Sequence, residues 1–202
     1  MSKKRYSPKY ETITIGSRFA WTAVEPTAEP VTLQEVKDYH RIDHNEDDTL
    51  ISDVLIPAAR KSIEKHLQAS IIQQTKQVNL DSWIRRIALP CPVWQSVSQV
   101  QYYNTDSPET LTTLDSSLYR FDAHTGELHF STSLPAAAYR GDAVQIQYIS
   151  GEATATEALK TACLLTIGGM YENRESEVIG QGIVLIKNPA VKWLIDPYRS
   201  FR

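Results

Sequence analysis

Apolar residues recur at helical spacing in two runs between Thr32 and Leu67. The first holds Leu33, Val36 and Tyr39/His40. The second holds Leu50, Ile51, Val54, Leu55, Ala58, Ala59, Ile63 and Leu67, with Lys and Glu on the opposite face. The polar stretch Asp43–Asp48 separates them, so the pattern predicts two amphipathic helices joined by an acidic turn. Thr32 followed by Glu35 has the spacing of a capping box, in which each side chain satisfies an orphan backbone donor at the helix start. Pro57 falls inside the second helix, where it removes a hydrogen bond. Because the periodicity continues on both sides, a kink is favoured over a helix that begins at Pro57. Two such helices bury little alone, and the chain supplies a third only after Thr154.

From Gln74 the period changes to two. Val78 and Leu80 alternate with polar neighbours, and further runs follow at Arg86–Leu89, Val97–Tyr103, Thr110–Leu114, Leu118–Asp122, Glu127–Ser131 and Ala143–Ile149. Pro90/Pro92, Asn104–Pro108, His124-Thr125-Gly126 and Arg140-Gly141-Asp142 provide turns between them. The reading is a compact antiparallel β segment of about five to seven short strands. Helix returns with a second capping-box spacing, Thr154 and Glu157, and Ala158–Tyr171 is apolar on nearly every side from Ala162 onward. Such a helix is expected to be central to the bundle or covered by another subunit, and Gly168-Gly169 within it implies close backbone approach to a neighbour. Arg174–Gly182 reads as a polar loop, and Asn188-Pro189 opens a short helix over Ala190–Ile195 that Pro197 ends. The class is therefore α+β: an antiparallel helical bundle (31–72 and 153–197) with an inserted antiparallel β segment (73–152), an N-terminal arm (1–30) and a C-terminal tail (198–202).

Composition narrows the function only a little. The 202 residues are 42% apolar and 22% charged with a net charge of −3, which suits a packed core and gives no general pull toward nucleic acid. No run of about 18 apolar residues appears, so no membrane span is predicted. Cys91 and Cys163 lack metal-like spacing and read as buried or neutral thiols in a reducing compartment, consistent with synthesis in the cytoplasm.

Candidate chemistry is sparse. His40 and His44 near Asp43, Asp47 and Asp48 suggest a metal site only if the first helix runs past Asp43. Asp43-x-Asn45-x-Asp47 imitates the start of an EF-hand loop, but Asp48 replaces the turn glycine and Val54 the bidentate glutamate. An acidic solvated turn at a helix N-terminus accounts for the pattern without a metal. His129 alternates with Leu128 and Phe130 and is read as facing solvent; with His124 it forms no nucleophilic or phosphate-binding motif. No catalytic, cofactor or metal residue is predicted, and the chain reads as a non-enzyme. Lys3, Lys4, Arg5 and Lys9 make the first ten residues basic, which admits a second reading as a DNA-binding protein, although four charges give weak, salt-sensitive affinity and short basic termini more often solubilise the chain or bind a partner. Trp193, Tyr198, Arg199, Phe201 and Arg202 are the sharper signal, since aromatic residues and Arg dominate interface energetics; of these, Trp193, with Leu194, is read as capping the core, and the residues beyond Pro197 as free for an interface.

The ordered set of these pieces resembles the head–tail connector (adaptor, head-completion) proteins of long-tailed bacteriophages and gene transfer agents. The resemblance lies in EPVTLQEVKDYHRIDHNEDDTLISDVLIPAARKSIEKHLQ (Glu29–Gln68), LPCPVWQSVSQVQYYN (Leu89–Asn104) and YRFDAHTGELHF (Tyr119–Phe130). It continues in YRGDAVQIQYISGE (Tyr139–Glu152), ALKTACLLTIGGMYENRE (Ala158–Glu175) and VKWLIDPYR (Val191–Arg199). Pro57, Gly180–Ile186 and the first 28 residues depart from it. The resemblance implies a virion protein of the neck that forms a ring with itself, expected to be twelve-fold, beneath the portal protein. Such a ring extends the channel through which double-stranded DNA passes and offers a surface to a stopper or tail-completion protein. Within that picture Trp193, Tyr198, Arg199, Phe201 and Arg202 are assigned to portal docking, with Pro197–Arg202 ordering on contact. Asp43, Glu46, Asp47 and Asp48 are assigned to the channel lumen or a subunit joint.

Overall fold

The computed structural model describes residues 13–14, 20–173 and 189–199. The basic residues Lys3, Lys4, Arg5 and Lys9, the Arg174–Gly182 and Gly180–Ile186 segments, Asn188, Phe201 and Arg202 lie outside them. The chain divides into two compact units, one of residues 1–23, 75–90 and 94–149, the other of residues 24–74, 91–93 and 150–202.

In the helical unit α1 (Leu33–His40) starts at the predicted capping box: Glu35 N–H donates to Thr32 Oγ1 at 3.2 Å, and Thr32 N–H donates to Glu35 Oε2 at 2.7 Å. Arg41 ends the helix with φ 55°, so α1 stops before Asp43 and does not put His40 and His44 on one helical face. The second helical run is continuous but changes register. It begins as α2 (Asp48–Leu50), passes through a π-helical turn at Ile51–Leu55, and resumes as α3 (Ile56–Leu67). Ile56 N–H donates to Ile51 O, five residues back, immediately before Pro57, which cannot donate at all. The wider turn is how a helix absorbs this proline, so the predicted kink takes the form of a π-turn. α4 (Glu157–Glu172) and α5 (Pro189–Ile195) follow. The cap of α4 is Thr156 without a side-chain bond, so the Thr154/Glu157 capping box does not form.

The core of this unit joins Val36, Ile51, Leu55, Ala59, Ile63 and Leu67 to Leu159, Ala162, Cys163, Ile167 and Ile195. Each fully buried Ile or Leu contributes roughly 1.5–3 kcal/mol relative to exposure. Within the subunit α4 is not buried all round: Leu164, Leu165 and Met170 are half-buried and Gly169 is exposed, so the first of the two expectations, a fully enclosed central helix, does not hold. Its two glycines differ. A Cβ on Gly168 would lie 2.3 Å from His40 Cε1, whereas one on Gly169 would meet nothing within 4 Å. Close approach therefore explains Gly168 alone.

The β unit holds seven strands from the alternating region. They are β3 (Gln74–Leu80), β4 (Arg86–Ala88), β5 (Trp94–Tyr103), β6 (Leu111–Thr113), β7 (Tyr119–Asp122), β8 (Glu127–Phe130) and β9 (Val144–Ser150). Two strands from the N-terminal segment, β1 (Ile13–Thr14) and β2 (Ala20–Val24), complete two sheets ordered β1-β4-β8-β7 and β2-β3-β9-β5-β6. β4 pairs antiparallel with β8, β8 with β7 and β5 with β6, while the short β1 runs parallel to β4. Val78, Val100, Val144, Ile146, Tyr148, Ile87 and Leu128 form the core. The opposite face of the five-stranded sheet is a glutamine array. Gln99 Nε2 donates to Gln147 Oε1 at 2.9 Å and Gln147 Nε2 to Gln77 Oε1 at 2.8 Å. Gln77 Nε2 then donates to Asn79 Oδ1 at 2.9 Å and Gln145 Oε1 at 3.3 Å, linking β5, β9 and β3 side chain to side chain. Gly126, at φ +67°, closes the β7–β8 turn under Trp94, whose ring would lie 2.4 Å from a Cβ there.

The two helical glycines give a paired prediction. Gly168→Ala forces His40 to move and should lower stability by about 1–3 kcal/mol, whereas Gly169→Ala should raise it by up to about 1 kcal/mol. Thermal denaturation of both variants distinguishes them; equal effects would contradict the contact with His40.

Candidate docking surfaces

The predicted docking residues sit at the C-terminal end of the helical unit. In α5 the helical spacing turns Ile195 into the core, with Val191 and Leu194 packed against it. Trp193, on the other side, is 73% exposed and so does not cap the core as expected, whereas Leu194 does pack there. Asp196–Tyr198 forms a 3₁₀ turn with Pro197 in its first turn, and Arg199 N–H closes it onto Asp196 O at 3.2 Å. Tyr198 is exposed, its hydroxyl accepting from Thr156 Oγ1 at 3.2 Å, and Arg199 is exposed. Trp193, Tyr198 and Arg199 therefore lie within seven residues on the surface of one short helix and the turn after it. The burial of Ile195 and exposure of Trp193 separate core from surface one helical step apart.

The acidic turn is held by specific bonds. Lys37 Nζ, mostly buried, pairs with Asp48 Oδ1 at 2.7 Å and donates to Asn45 Oδ1 at 2.6 Å. Tyr171 Oη donates to Asp47 Oδ2 at 2.6 Å, tying the turn to the last turn of α4. Glu46 stays exposed beside His44 Nδ1 at 2.9 Å, and Asp43 is exposed. Asp47 and Asp48 are thus largely engaged within the subunit, while Asp43 and Glu46 remain available to a partner. His40 Nε2 lies 2.9 Å from Leu164 O, directed away from the turn. Among the described residues no group of three or more His, Cys, Asp or Glu side chains is placed to hold a metal ion. His129 is partly exposed, with Nε2 3.3 Å from Glu127 Oε2.

A second cluster escaped the sequence reading. Arg60, 2% exposed, sends Nε to Glu29 Oε2 at 2.8 Å, Nη2 to Glu25 Oε2 at 3.0 Å and Nη1 to Glu64 Oε2 at 3.2 Å. Glu64 Oε1 also accepts from Ile71 N–H at 2.8 Å and Gln74 Nε2 at 2.6 Å. Burial works against the charge on Arg60, but the bonds to Glu29 and the fields of Glu64, Glu29 and Glu25 outweigh it, and its pKa is raised. Glu25 is held below the ordinary carboxylate value, chiefly by its bond from Lys61. Burial beside Glu29 and Glu64 pushes the Cys163 thiol up to about 12, which makes it unreactive. Only Arg60–Glu64, at i,i+4, was visible as a pair in the sequence; Glu25 and Glu29 carry no local signal that they reach it.

The described surface thus carries exposed aromatics at a helix end and an acidic turn. Residues 29–201 match the family model HCP, Head completion protein, so the chain belongs to the head completion protein family. Its role is that of a structural head–tail connector (adaptor) in virion assembly, and it is not an enzyme. Solved structures share the fold. A chain of the neck of an empty gene transfer agent (GTA) particle, computed with C6 symmetry, is 18% identical, with a TM-score of 0.68 over 91% of this chain and 96% of that one. A chain of the virion of the native GTA particle is 17% identical, with a TM-score of 0.67 over 91% and 96%. One from the neck of the native GTA particle computed with C12 symmetry is 18% identical, at 0.60 over 89% and 96%. No curated protein matches significantly.

The Arg60 cluster makes a stability prediction. Arg60→Leu leaves the Glu64 carboxylate, 10% exposed, without its guanidinium and should cost about 3–5 kcal/mol at pH 7 by denaturant titration. Glu25 has a lowered folded pKa, chiefly through its bond from Lys61 and further through Arg60. Its contribution is full above the ordinary value of 4.5 and is lost as pH falls through the folded value below it. The Arg60 share of that shift is absent from Arg60→Leu, so the difference from wild type should narrow in acid; a constant difference would contradict this origin.

Proposed function

We propose that the protein forms a ring with itself beneath the portal, in the neck between capsid and tail, after synthesis in the host cytoplasm. The ring lengthens the channel for passing double-stranded DNA without binding its sequence, and presents its far side to a stopper or tail-completion protein. The helical body (31–72 and 153–197) carries the portal-facing surface, and the β segment (73–152) is the inserted part. The observation that carries the docking surface is Trp193, 73% exposed on a helix whose neighbouring apolar residues are packed into the core. An exposed Trp followed by Tyr198 and Arg199 has the composition of an interface anchor. Phe201 and Arg202 extend that segment in sequence, and its ordering against the portal gives each subunit a weak contact that the ring multiplies into avidity. Asp43 and Glu46 are the acidic residues best placed to face the lumen or a subunit joint. Asp47 and Asp48 shape the turn that presents them.

Mass photometry and negative-stain imaging of the chain alone and with portal particles test this reading. Rings appearing on the portal support it. A chain that ignores the portal but shifts in mass with duplex DNA in a salt-dependent way identifies instead a packaging accessory. Truncation after Asp196 should abolish docking while the melting temperature stays close to wild type. Trp193→Ala should weaken docking by roughly 30-fold, corresponding to a hot spot of about 2 kcal/mol. Undiminished docking by both variants would place the portal contact elsewhere.

A further inference from the structure

The five-stranded sheet ends in two unlike edges, β2 and β6. Among the described residues no strand pairs with the outer side of either. β2 reads Ala-Trp-Thr-Ala-Val and β6 reads Leu-Thr-Thr; neither contains a charge or a proline, so shortness is the one such device β6 has. Three of the chain's exposed large apolar side chains lie on them, Trp21 at 45%, Val24 at 58% and Leu111 at 40%.

The register shows which groups of β6 are open. Leu114 N–H donates to Val100 O at 2.8 Å and Asn104 N–H to Thr110 O at 3.0 Å, with Thr112 opposite Tyr102 midway between. Bonded and non-bonded pairs alternate along an antiparallel ladder, so Thr112 bonds inward to β5. The N–H and C=O of Leu111 and Thr113 then point out from the sheet. Side-chain faces match as well. Leu111 stands opposite Tyr103 and Thr113 opposite Gln101, on the glutamine face. Ala20 packs on the core, so its neighbour Trp21 projects to that same glutamine face.

We infer that β6 of one copy pairs with β2 of the next, so that the sheet continues from subunit to subunit. The joint uses two different edges, a heterologous contact that closes into a ring when repeated by rotation. It places Leu111 of one copy beside Trp21 of the next on the glutamine face and satisfies the outward backbone groups of Leu111 and Thr113. The partner is a second copy of this chain, because the edges at the two ends of one sheet match: both strands are uncharged, both end the strand order among the described residues, and both carry an exposed apolar residue on the same face. This inference rests on the ring reading above and assigns the surface that builds the ring.

Cysteine pairs test it in assembled rings on portal particles. Trp21→Cys is combined in turn with Leu111→Cys and Thr113→Cys, covering two alignments of the strands. Cys91 and Cys163 are buried and do not compete. After oxidation, at least one double variant should give a ladder of covalent multimers on a non-reducing gel, and each single variant should give monomer. Rings that form but yield no ladder in either pairing overturn the inference and leave the ring reading standing. A wild-type chain that forms no ring on the portal overturns both. Thr113→Pro provides an independent check, since it removes a donor that the subunit's own ladder does not use. It should reduce ring assembly at least tenfold with an unchanged circular-dichroism spectrum. A folded Thr113→Pro that assembles normally also overturns the inference, and if that variant fails to fold, the cysteine pairs decide.

Discussion

One buried guanidinium organises the helical unit. Arg60 projects from α3 and binds carboxylates that reach it from three positions: Glu25 and Glu29 from the segment before α1, and Glu64 from the next turn of its own helix. Those bonds fix the path of the chain into Val31, which is buried, and Thr32, which caps α1. Glu64 passes the constraint on to Ile71 and Gln74, where the chain leaves the helices and enters β3. A buried ion cluster of this kind is a poor source of net stability but a strict selector of geometry, because the planar fork accepts few arrangements. Entry to α1 and exit from α3 are both referred to the same side chain.

Two local accommodations let the helices meet around that centre. The π-turn at Ile51–Leu55 absorbs Pro57 without ending the helix, and it keeps both Ile51 and Leu55 in the core. Gly168 lets the α4 backbone approach the His40 ring, whose Nε2 lies at hydrogen-bond distance from the Leu164 carbonyl. Both are places where a regular helix would not fit. Both also leave α1, α3 and α4 positioned to hold the acidic turn and to receive α5 with its exposed Trp193.

The sequence announces these features unevenly. Strand positions in the alternating region are legible because a half-buried strand leaves a period of two, as at Val144–Ser150. The Thr32 cap is legible because its partner is three residues away, while Thr154/Glu157 has the same spacing and does not form a cap. Spacing states an opportunity, and the backbone around it decides. In α4 an all-apolar composition reads the same for a helix enclosed in its own bundle and for one covered by another subunit; Leu165 and Met170, apolar yet half-buried, rule out full enclosure within the subunit. The Arg60 cluster could not be read because Glu25 and Glu29 are more than thirty residues from their partner. Trp193 reads as a core cap because it is apolar and precedes Leu194, yet it stands two positions from the buried Ile195, on the opposite side of the helix, and is exposed. What docks on it is carried by no residue pattern, since an anchor reads the same whatever its partner.

The glutamine face of the sheet has an electrostatic consequence. Gln77, Gln99, Gln145 and Gln147 neither gain nor lose a proton over any pH at which the protein folds, and they carry no formal charge for counterions to screen. Their mutual bonds also hold the amide dipoles in one orientation. The glutamines' own contribution to the potential above this face therefore does not change with pH, in a chain where 22% of residues are charged.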